Sequence, residues 1–565
     1  MCEYIAERDE RIKFISGFSG SAGVCLITHE IAFMWTDGRY WLQAGKELEE
    51  GWELKKSRQG DDPTWFEWSK TNLKEGDVIG FDPYLVPQGS VDARRKFLSD
   101  SKIKLEPIDN SLVDEVWGSD QPQWTSSAVS IHDEKFHGRS ITQNVKEIME
   151  KAEEKKGEAV LIPTLDQIAW LTNMRGQDID YNPLFFSYAV IYNKSDIYTV
   201  RLYIDEVKTK NVTEYLKDNN VEIAPYQQVF EDLSTGDFKD MKIALDANDC
   251  NFKVYSSINK DNVINAPDMV GEIKLIKNET QIKGYKSSQI RDGAALAKFF
   301  SWLENELVEK DAQISEYEGT VKLEKCRSEQ DLFMGLSFDT ILSTGANGAI
   351  IHYSPSKEDS SILNLKEMIL CDSGGHYLDG TTDTTRTMHF TEPTAFQREM
   401  YTRVLKGNLD MERVKVPNKN RHTQRDIDVL ARAPLWEVGL DYNHGTGHGV
   451  GHFLNVHEGP YGKPWKAGMT YTDEPGYYKD GEFGIRIENL LIMQKDPQIE
   501  DFLSFENVTK FPYCRKLIDT KFLSPNDVEY INKYHETVRN ELSPLLQNEE
   551  MALKYIQKET EPISH

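Results

Sequence analysis

Residues 444–460 read HGTGHGVGHFLNVHEGP, and this stretch decides what the carboxy-terminal half of the chain is. Four histidines, His444, His448, His452 and His457, fall within fourteen residues of a 565-residue chain that holds only 13. The spacing of His448 and His452 imitates half of a helical zinc motif. That reading fails, because no Glu follows the first histidine and Gly447, Gly449 and Gly451 oppose a helix. The glycines suit a loop whose backbone passes close to a ligand. A loop this rich in imidazole is seldom merely structural.

Two flanking segments supply carboxylates. Downstream, TDEPGYYKDGEFGIRIENLLIM (472–493) places Glu474 before a Pro-Gly turn. GIRIENLLIM then alternates as a strand, with Ile485 and Ile487 on one face and Arg486 and Glu488 on the other. A solvent face with a salt bridge would explain either charge alone. Upstream, LCDSGGHYLDGTTDTTRTMHF (370–390) reads as two β-type runs around a glycine-rich turn. Asp372 ends the first run and Asp383 begins the second. Turn chemistry accounts for Asp372, Asp379 and Asp383 when they are taken alone. Taken together, Asp372, Asp383, His448, Glu474 and Glu488 offer four carboxylates and one imidazole. Such a set suits hard divalent ions, manganese above zinc. Four carboxylates leave excess negative charge around one cation. Two cations roughly 3.5–4 Å apart fit the charge better and activate a bridging water.

Outward from these motifs the chain divides into three segments, α/β (α+β) in class. A length of 565 residues predicts two to four domains at about 100–200 residues each. Residues 1–116 mix strands and turns, with a helix expected at TWFEWSKTNL (64–73) and a strand at SKIKLEPI (101–108). WGSDQPQWTSS (117–127) is polar and aperiodic, as a linker would be. Residues 130–275 open on a helical NVKEIMEKAEEKK (144–156) and continue with strand-like AVLIP, LFFSYAVIYN and DIYTVRLYID. Residues 280–565 open on a helical SSQIRDGAALAKFFSWLENEL (287–307). A weak echo, Phe14-Ile-Ser16 then Gly20 against Trp170-Leu-Thr172 then Gly176, suggests that the first two segments are duplicates.

Composition narrows the function classes. Sixty-six basic residues against 93 acidic ones give a net charge of -27. A chain this acidic repels nucleic acid and anionic membrane. It contains no apolar run of about 18 residues, and its start, MCEYIAERDERIKF, lacks the apolar core of a signal peptide. The six cysteines are scattered, with no C-x-x-C pair, as expected of a reduced, cytoplasmic protein.

The motifs DSG…TTDTTRT, HGTGHGVG, NVHEGP, TDEPGYY and GIRIEN, in this order, resemble the dinuclear site of the pita-bread metallopeptidases, and in particular of aminopeptidase P. The resemblance covers essentially the whole chain. SGFSGSAG (16–23), MWTDGRY (34–40), LDQIAWLTNMRG (165–176) and NPLFFSY (182–188) are similar to the two creatinase-type amino-terminal domains of the long cytosolic form. STGANGAIIHYSP (343–355) is similar to its catalytic domain.

The resemblance implies an Xaa-Pro aminopeptidase that acts on peptides with proline in second place. Asp372 and Glu488 would hold one metal, His448 and Glu474 the other, with Asp383 and Glu488 bridging. Glu474 would also be the general base. His352 and His457 would bind substrate and stabilise the tetrahedral intermediate, His444 would line the pocket, and Arg39 would reach the substrate from the first domain. Bland readings stand beside these. Arg39 braces a turn after Asp37, and His352 is a core histidine in the strand-like AIIHY. A homodimer held through the catalytic domain is also implied, with Trp436 either a contact or a core residue.

The chain departs from the family pattern in four places. It starts almost at SGFSGSAG, where the family usually has a helix and a strand first, so either the opening strand of the first domain is missing or the start codon is misassigned. PNKNRHTQRDIDVLAR (417–432) lacks the usual glycines. The loop 457–469 is short, which bears on substrate access, and His452 replaces a small residue. Two other activities compete with this one. A prolidase would carry one amino-terminal unit rather than two. A non-catalytic binding relative would have lost metal ligands, and all five are present.

Overall fold

In the computed structural model, residues 4–57 and 62–564 are described. The chain forms two compact units, Met1–Glu134 with Arg139–Lys274, and Lys135–Gly138 with Leu275–His565. Among the described residues no helix is long and apolar enough to cross a membrane.

The first unit holds two sets of strands of related pattern. In the first set, β1 (Val24–Ile27) and β2 (Ala32–Thr36) run antiparallel and β3 (Trp52–Lys56) joins β2 in parallel. β4 (Val78–Phe81) and β5 (Lys104–Pro107) form a separate parallel pair. The helix Trp65–Asn72 begins where the sequence places it, because Thr64 and Glu67 make a capping box.

The second set contains β6 (Ala159–Ile162), β7 (Tyr188–Lys194), β8 (Ile197–Tyr203), β9 (Val221–Ala224), β10 (Ile243–Leu245) and β11 (Val263–Asn265). These form one sheet in the order β9-β8-β7-β6-β10-β11. All four residues of β6 are buried, as an apolar run covered on both faces requires. Helix Ile141–Glu154 packs against it and starts on a Ser140–Gln143 capping box.

The two sets match strand by strand. The β1-β2-β3 arrangement has the directions of β7-β8-β9, and β4-β5 those of β10-β11. β6 joins the two halves of the second sheet. Among the described residues no strand takes that place in the first set, whose strands stay in sheets of three and two. The sequence echo has a structural basis as well. Phe14–Ser16 and Trp170–Thr172 both end short helices whose next residue is left-handed, Gly17 at φ 78° and Asn173 at φ 50°. The linker expected at 117–127 is not merely solvated chain, since Trp124 meets Phe186 edge-on at 4.8 Å.

The second unit opens on the helix Glu279–Glu304, which begins at Glu279 rather than Ser287 because Asn278 and Gln281 form a capping box. Strands β12 (Ile341–Thr344), β13 (Ile369–Ser373) and β14 (Thr384–Met388) form an antiparallel sheet. A second sheet contains β15 (Lys415–Pro417), β16 (Thr470–Asp473), β19 (Asn489–Lys495) and β20 (Phe502–Asn507), in the order β15-β20-β19-β16. β17 (Gly476–Lys479) and β18 (Phe483–Arg486) pair as a hairpin. Phe299, Phe300, Tyr401, Leu405, Ile485 and Ile487 are among the residues of its main core.

Two expectations are corrected here. The run 483–493 is not one alternating strand with a solvent face. It breaks at Ile487–Glu488 between β18 and β19, and Arg486 and Glu488 are 2% and 1% exposed. The break arises because the backbone changes partners, the Ile487 N–H going to Pro475 O and the Glu488 N–H to Thr385 O. His352 is not in a strand either. It lies in a turn after the 3-10 segment Gly345–Ala349, where the Tyr353 N–H closes back on Ile350 O.

Candidate metal centre

The histidine loop is shaped by close backbone approaches. A Cβ on Gly447 would lie 1.9 Å from the Thr472 carbonyl oxygen, and one on Gly449 1.7 Å from that of Gly459. Only glycine fits at either place. The loop is thereby pinned to β16: the His448 N–H donates to Thr472 Oγ1 at 3.0 Å, and the Thr472 N–H donates to His448 O at 2.6 Å.

The His448 side chain follows from that anchoring. Its Nδ1 lies 2.8 Å from Gly449 O. A carbonyl can only accept, so Nδ1 donates there and Nε2 is the ring nitrogen left to face the carboxylates. Nε2 faces Asp383 Oδ2 and Glu474 Oε1, each at 3.4 Å. Three atoms that can each donate an electron pair to a cation thus converge on one point.

The carboxylates arrive on neighbouring strands. Asp372 in β13 pairs with Thr385 in β14, and Asp383 immediately precedes that strand. Donor atoms of Asp383, His448 and Glu488 all lie within 4.8 Å of one another, and all three residues are buried. Glu488 Oε2 accepts from Thr385 Oγ1 at 2.8 Å. Asp372 Oδ2 accepts from Arg486 Nη2 at 2.6 Å, while its buried Oδ1 has no hydrogen-bond partner. Burial pushes the Asp383 and Glu488 carboxyls well above the usual range, and repulsion from neighbouring carboxylates adds to it. The Glu474 carboxyl is raised chiefly by burial too, against a pull from His448. Buried acids that repel one another, an orphaned carboxylate oxygen and an imidazole nitrogen in their midst suit a divalent-metal site. The residues present therefore fit metal.

A second layer was only half legible in the sequence. Arg486 Nη1 donates to Tyr478 Oη at 2.7 Å, and Tyr478 Oη lies 2.8 Å from His444 Nε2. His444 Nδ1 donates to Gly445 O, so Nε2 is the acceptor and the relay runs Arg486 to Tyr478 to His444. Burial, then the Arg486 charge, holds His444 well below its ordinary pKa, so it stays neutral. The signal for Tyr478 was its phase, since 474, 476 and 478 share one side of an extended chain.

The other named residues fall as follows. The His457 ring lies 4.1 Å from that of His448, planes at 69°. His352 is half-buried in its turn, near enough to His444 to oppose its protonation. His452 is buried, 5.3 Å from the Tyr285 ring. Glu458, next to His457, forms a buried ion pair with Lys277. Asp379 is paired with Arg291 and plays no part in the cluster. Arg39 belongs to the other compact unit, where Nε and Nη2 both donate to Asp37 at 2.9 Å, an arrangement that braces its turn.

Comparison with known proteins agrees with this architecture. Residues 283–495 match the model of metallopeptidase family M24, and 501–563 the C-terminal region of peptidase M24. Residues 4–116 and 120–281 each match a creatinase/prolidase N-terminal domain. The chain is 44% identical to the probable Xaa-Pro aminopeptidase P of Pyrenophora teres f. teres, over 99% of this chain and 88% of that one. The crystal structure of the X-prolyl aminopeptidase of Caenorhabditis elegans, described as a cytosolic enzyme with a di-nuclear active site, superposes with a TM-score of 0.95. It is 35% identical, and the match covers 100% of this chain and 93% of that one. The Xaa-Pro dipeptidase of Bacillus anthracis shares the fold over 66% of this chain and 99% of its own, with a TM-score of 0.53 and 23% identity. With two creatinase-type domains ahead of a pita-bread domain that gathers buried carboxylates around His448, this chain belongs to the aminopeptidase P family of M24 metallopeptidases.

Proposed function

We propose that the chain removes the first residue from peptides whose second residue is proline. The observation that carries this is the gathering of the Asp383, Glu474 and Glu488 carboxylates around the His448 ring, in a chain similar over its full length to Xaa-Pro aminopeptidases. Asp372, Asp383, His448, Glu474 and Glu488 would hold two divalent ions, manganese by preference, with Asp383 and Glu488 shared. When bound, such ions polarise the scissile carbonyl and make water acidic near neutral pH.

The chain's own residues supply the rest. Glu474 takes a proton at its carboxylate during attack and returns it to the leaving proline nitrogen. His457, edge-on beside His448, and His352 donate hydrogen bonds to the oxygen that becomes negative. His444, neutral and fixed by Tyr478, lines the pocket. Arg39 is proposed to reach substrate. The acidic surroundings favour a substrate ammonium. The Xaa-Pro bond has no N–H, so a site that grips the amine instead of that donor accepts it.

The proposed domains are 1–116, 130–275 and 280–565. The protein acts in the cytoplasm as a homodimer, and Trp436, 48% exposed and so not a core residue, is the candidate contact. The deciding experiment is manganese-dependent release of the first residue from an Xaa-Pro-Yaa tripeptide beside an Xaa-Pro dipeptide. Turnover of the dipeptide alone would make the chain a prolidase, and turnover of neither would make it a binding relative.

A further inference from the structure

We infer that the first compact unit carries a binding site for a cationic peptide side chain, of guanidinium or ammonium type, in a unit that contains none of the five metal-site residues. The site is a cleft of about 1110 Å³ lined only by residues between Tyr4 and Phe230. Its walls are aromatic. Trp124 meets Phe186 at 4.8 Å and Tyr226 at 6.1 Å, Tyr226 meets Tyr188 at 5.1 Å, and Tyr84 meets Phe230 at 5.9 Å. Trp124 is 52% and Tyr84 41% exposed, so ring surface is left for a ligand. The chain itself shows what these rings take, because the Arg8 guanidinium lies over Trp124 at 4.0 Å.

Charge points the same way. Asp9 and Asp114 are paired with Arg11, Asp109 with Lys253, and Glu10 with Lys13. The half-buried Asp82 and the exposed Glu115 and Asp180 also line the cleft and form no ion pair among the described residues. Burial raises the Asp82 carboxyl, against the Tyr84 backbone N–H and the Arg11 charge. A cation seated between the rings and Asp82 would meet π faces on one side and a carboxylate outside any ion pair on the other.

The test uses the full-length, metal-loaded protein and an acetylated, amidated tri-arginine peptide, which has neither a free amine nor a proline to be turned over. Calorimetry should show saturable, salt-sensitive binding. Asp82→Asn, which keeps shape, and Trp124→Phe, which keeps a ring, should each weaken it by about tenfold or more. The matching tri-citrulline peptide should not bind, and the metal-site variant Glu488→Ala should bind as the parent does. Absence of saturable binding, equal binding of the citrulline peptide, indifference to both substitutions in the cleft, or loss of binding in Glu488→Ala would each overturn the proposal. None of these outcomes bears on aminopeptidase activity, so the two proposals fail separately.

Discussion

The orientation of the His448 ring separates its role from that of His457 nine positions later. Nε2 of His448 points into the carboxylates, whereas the His457 ring meets the ring of His448 edge-on. His448→Ala should therefore lose bound manganese, and His457→Ala should keep it. His457→Ala should instead lower kcat by about 10²-fold with a smaller change in KM, as for a donor used mainly in the transition state. Glu474→Gln retains an oxygen ligand but no base, and its rate should fall by more than the ~10²–10⁴ of base loss alone. Metal analysis and steady-state kinetics on the three variants side by side decide the matter. Metal loss in His457→Ala with retention in His448→Ala would exchange the assignments.

The raised carboxyls make a prediction about pH. In the metal-free fold Asp383, Glu474 and Glu488 hold protons above the ordinary carboxylate range. A carboxyl whose folded pKa is raised stabilises the fold fully below its unfolded pKa, about 4.3 for Glu. That contribution is lost as pH rises through the folded value. Buried His444 and His535, whose pKa values are lowered, contribute with the opposite sign, so the comparison must be with Glu488→Gln. Between pH 5.5 and 8 the metal-free parent should lose more melting temperature than metal-free Glu488→Gln. Manganese binding should release protons, measurable by calorimetry in buffers of different ionisation enthalpy. Binding without proton release would contradict the protonated cluster.

At the scale of elements, much could be read from local chemistry, and the remainder depended on partners far away in sequence. The glycine pattern of 444–460 excludes a helix, and a loop is what forms. The helices at 65–72 and 141–154 begin on capping boxes written in the sequence. The break at Ile487–Glu488 was not legible, because it is a change of hydrogen-bond partner from Pro475 to Thr385, and neither is near in sequence. That hidden break is also what brings the Glu488 backbone against Thr385, beside Asp383. Arg486 read as a surface charge for the same reason, since its partners Asp372 and Tyr478 come from other strands. Gly447→Ala tests the loop as an element. Its methyl would have to displace Thr472 O, so the loop should leave β16, with manganese content reduced as in His448→Ala. Full metal content in that variant would show that the anchoring does not set the ligand.

Across the whole molecule, the repeat of strand directions in the first unit accounts for the sequence echo, which short apolar words alone could not prove. The proposed dimer belongs to this scale too. Trp436, Val429 and Val438 are exposed on or just beyond the helix Gln424–Trp436. Sedimentation at micromolar concentration should give twice the chain mass, and Trp436→Asp should shift it to the monomer. A parent that already sediments as a monomer would reject the dimer.

The buried Lys277–Glu458 pair has a consequence for synthesis. Its partners are 181 residues apart, with side chains 1% and 6% exposed. At about 5–20 residues per second, Lys277 leaves the ribosome roughly 10–40 s before the carboxylate that neutralises it. Until then this buried pair cannot form, and the segment of the metal-binding unit between them is translated before it can. Nascent chains arrested before residue 458 should be cut by trypsin at Lys277, and chains arrested well beyond it, with the pair outside the exit tunnel, should resist.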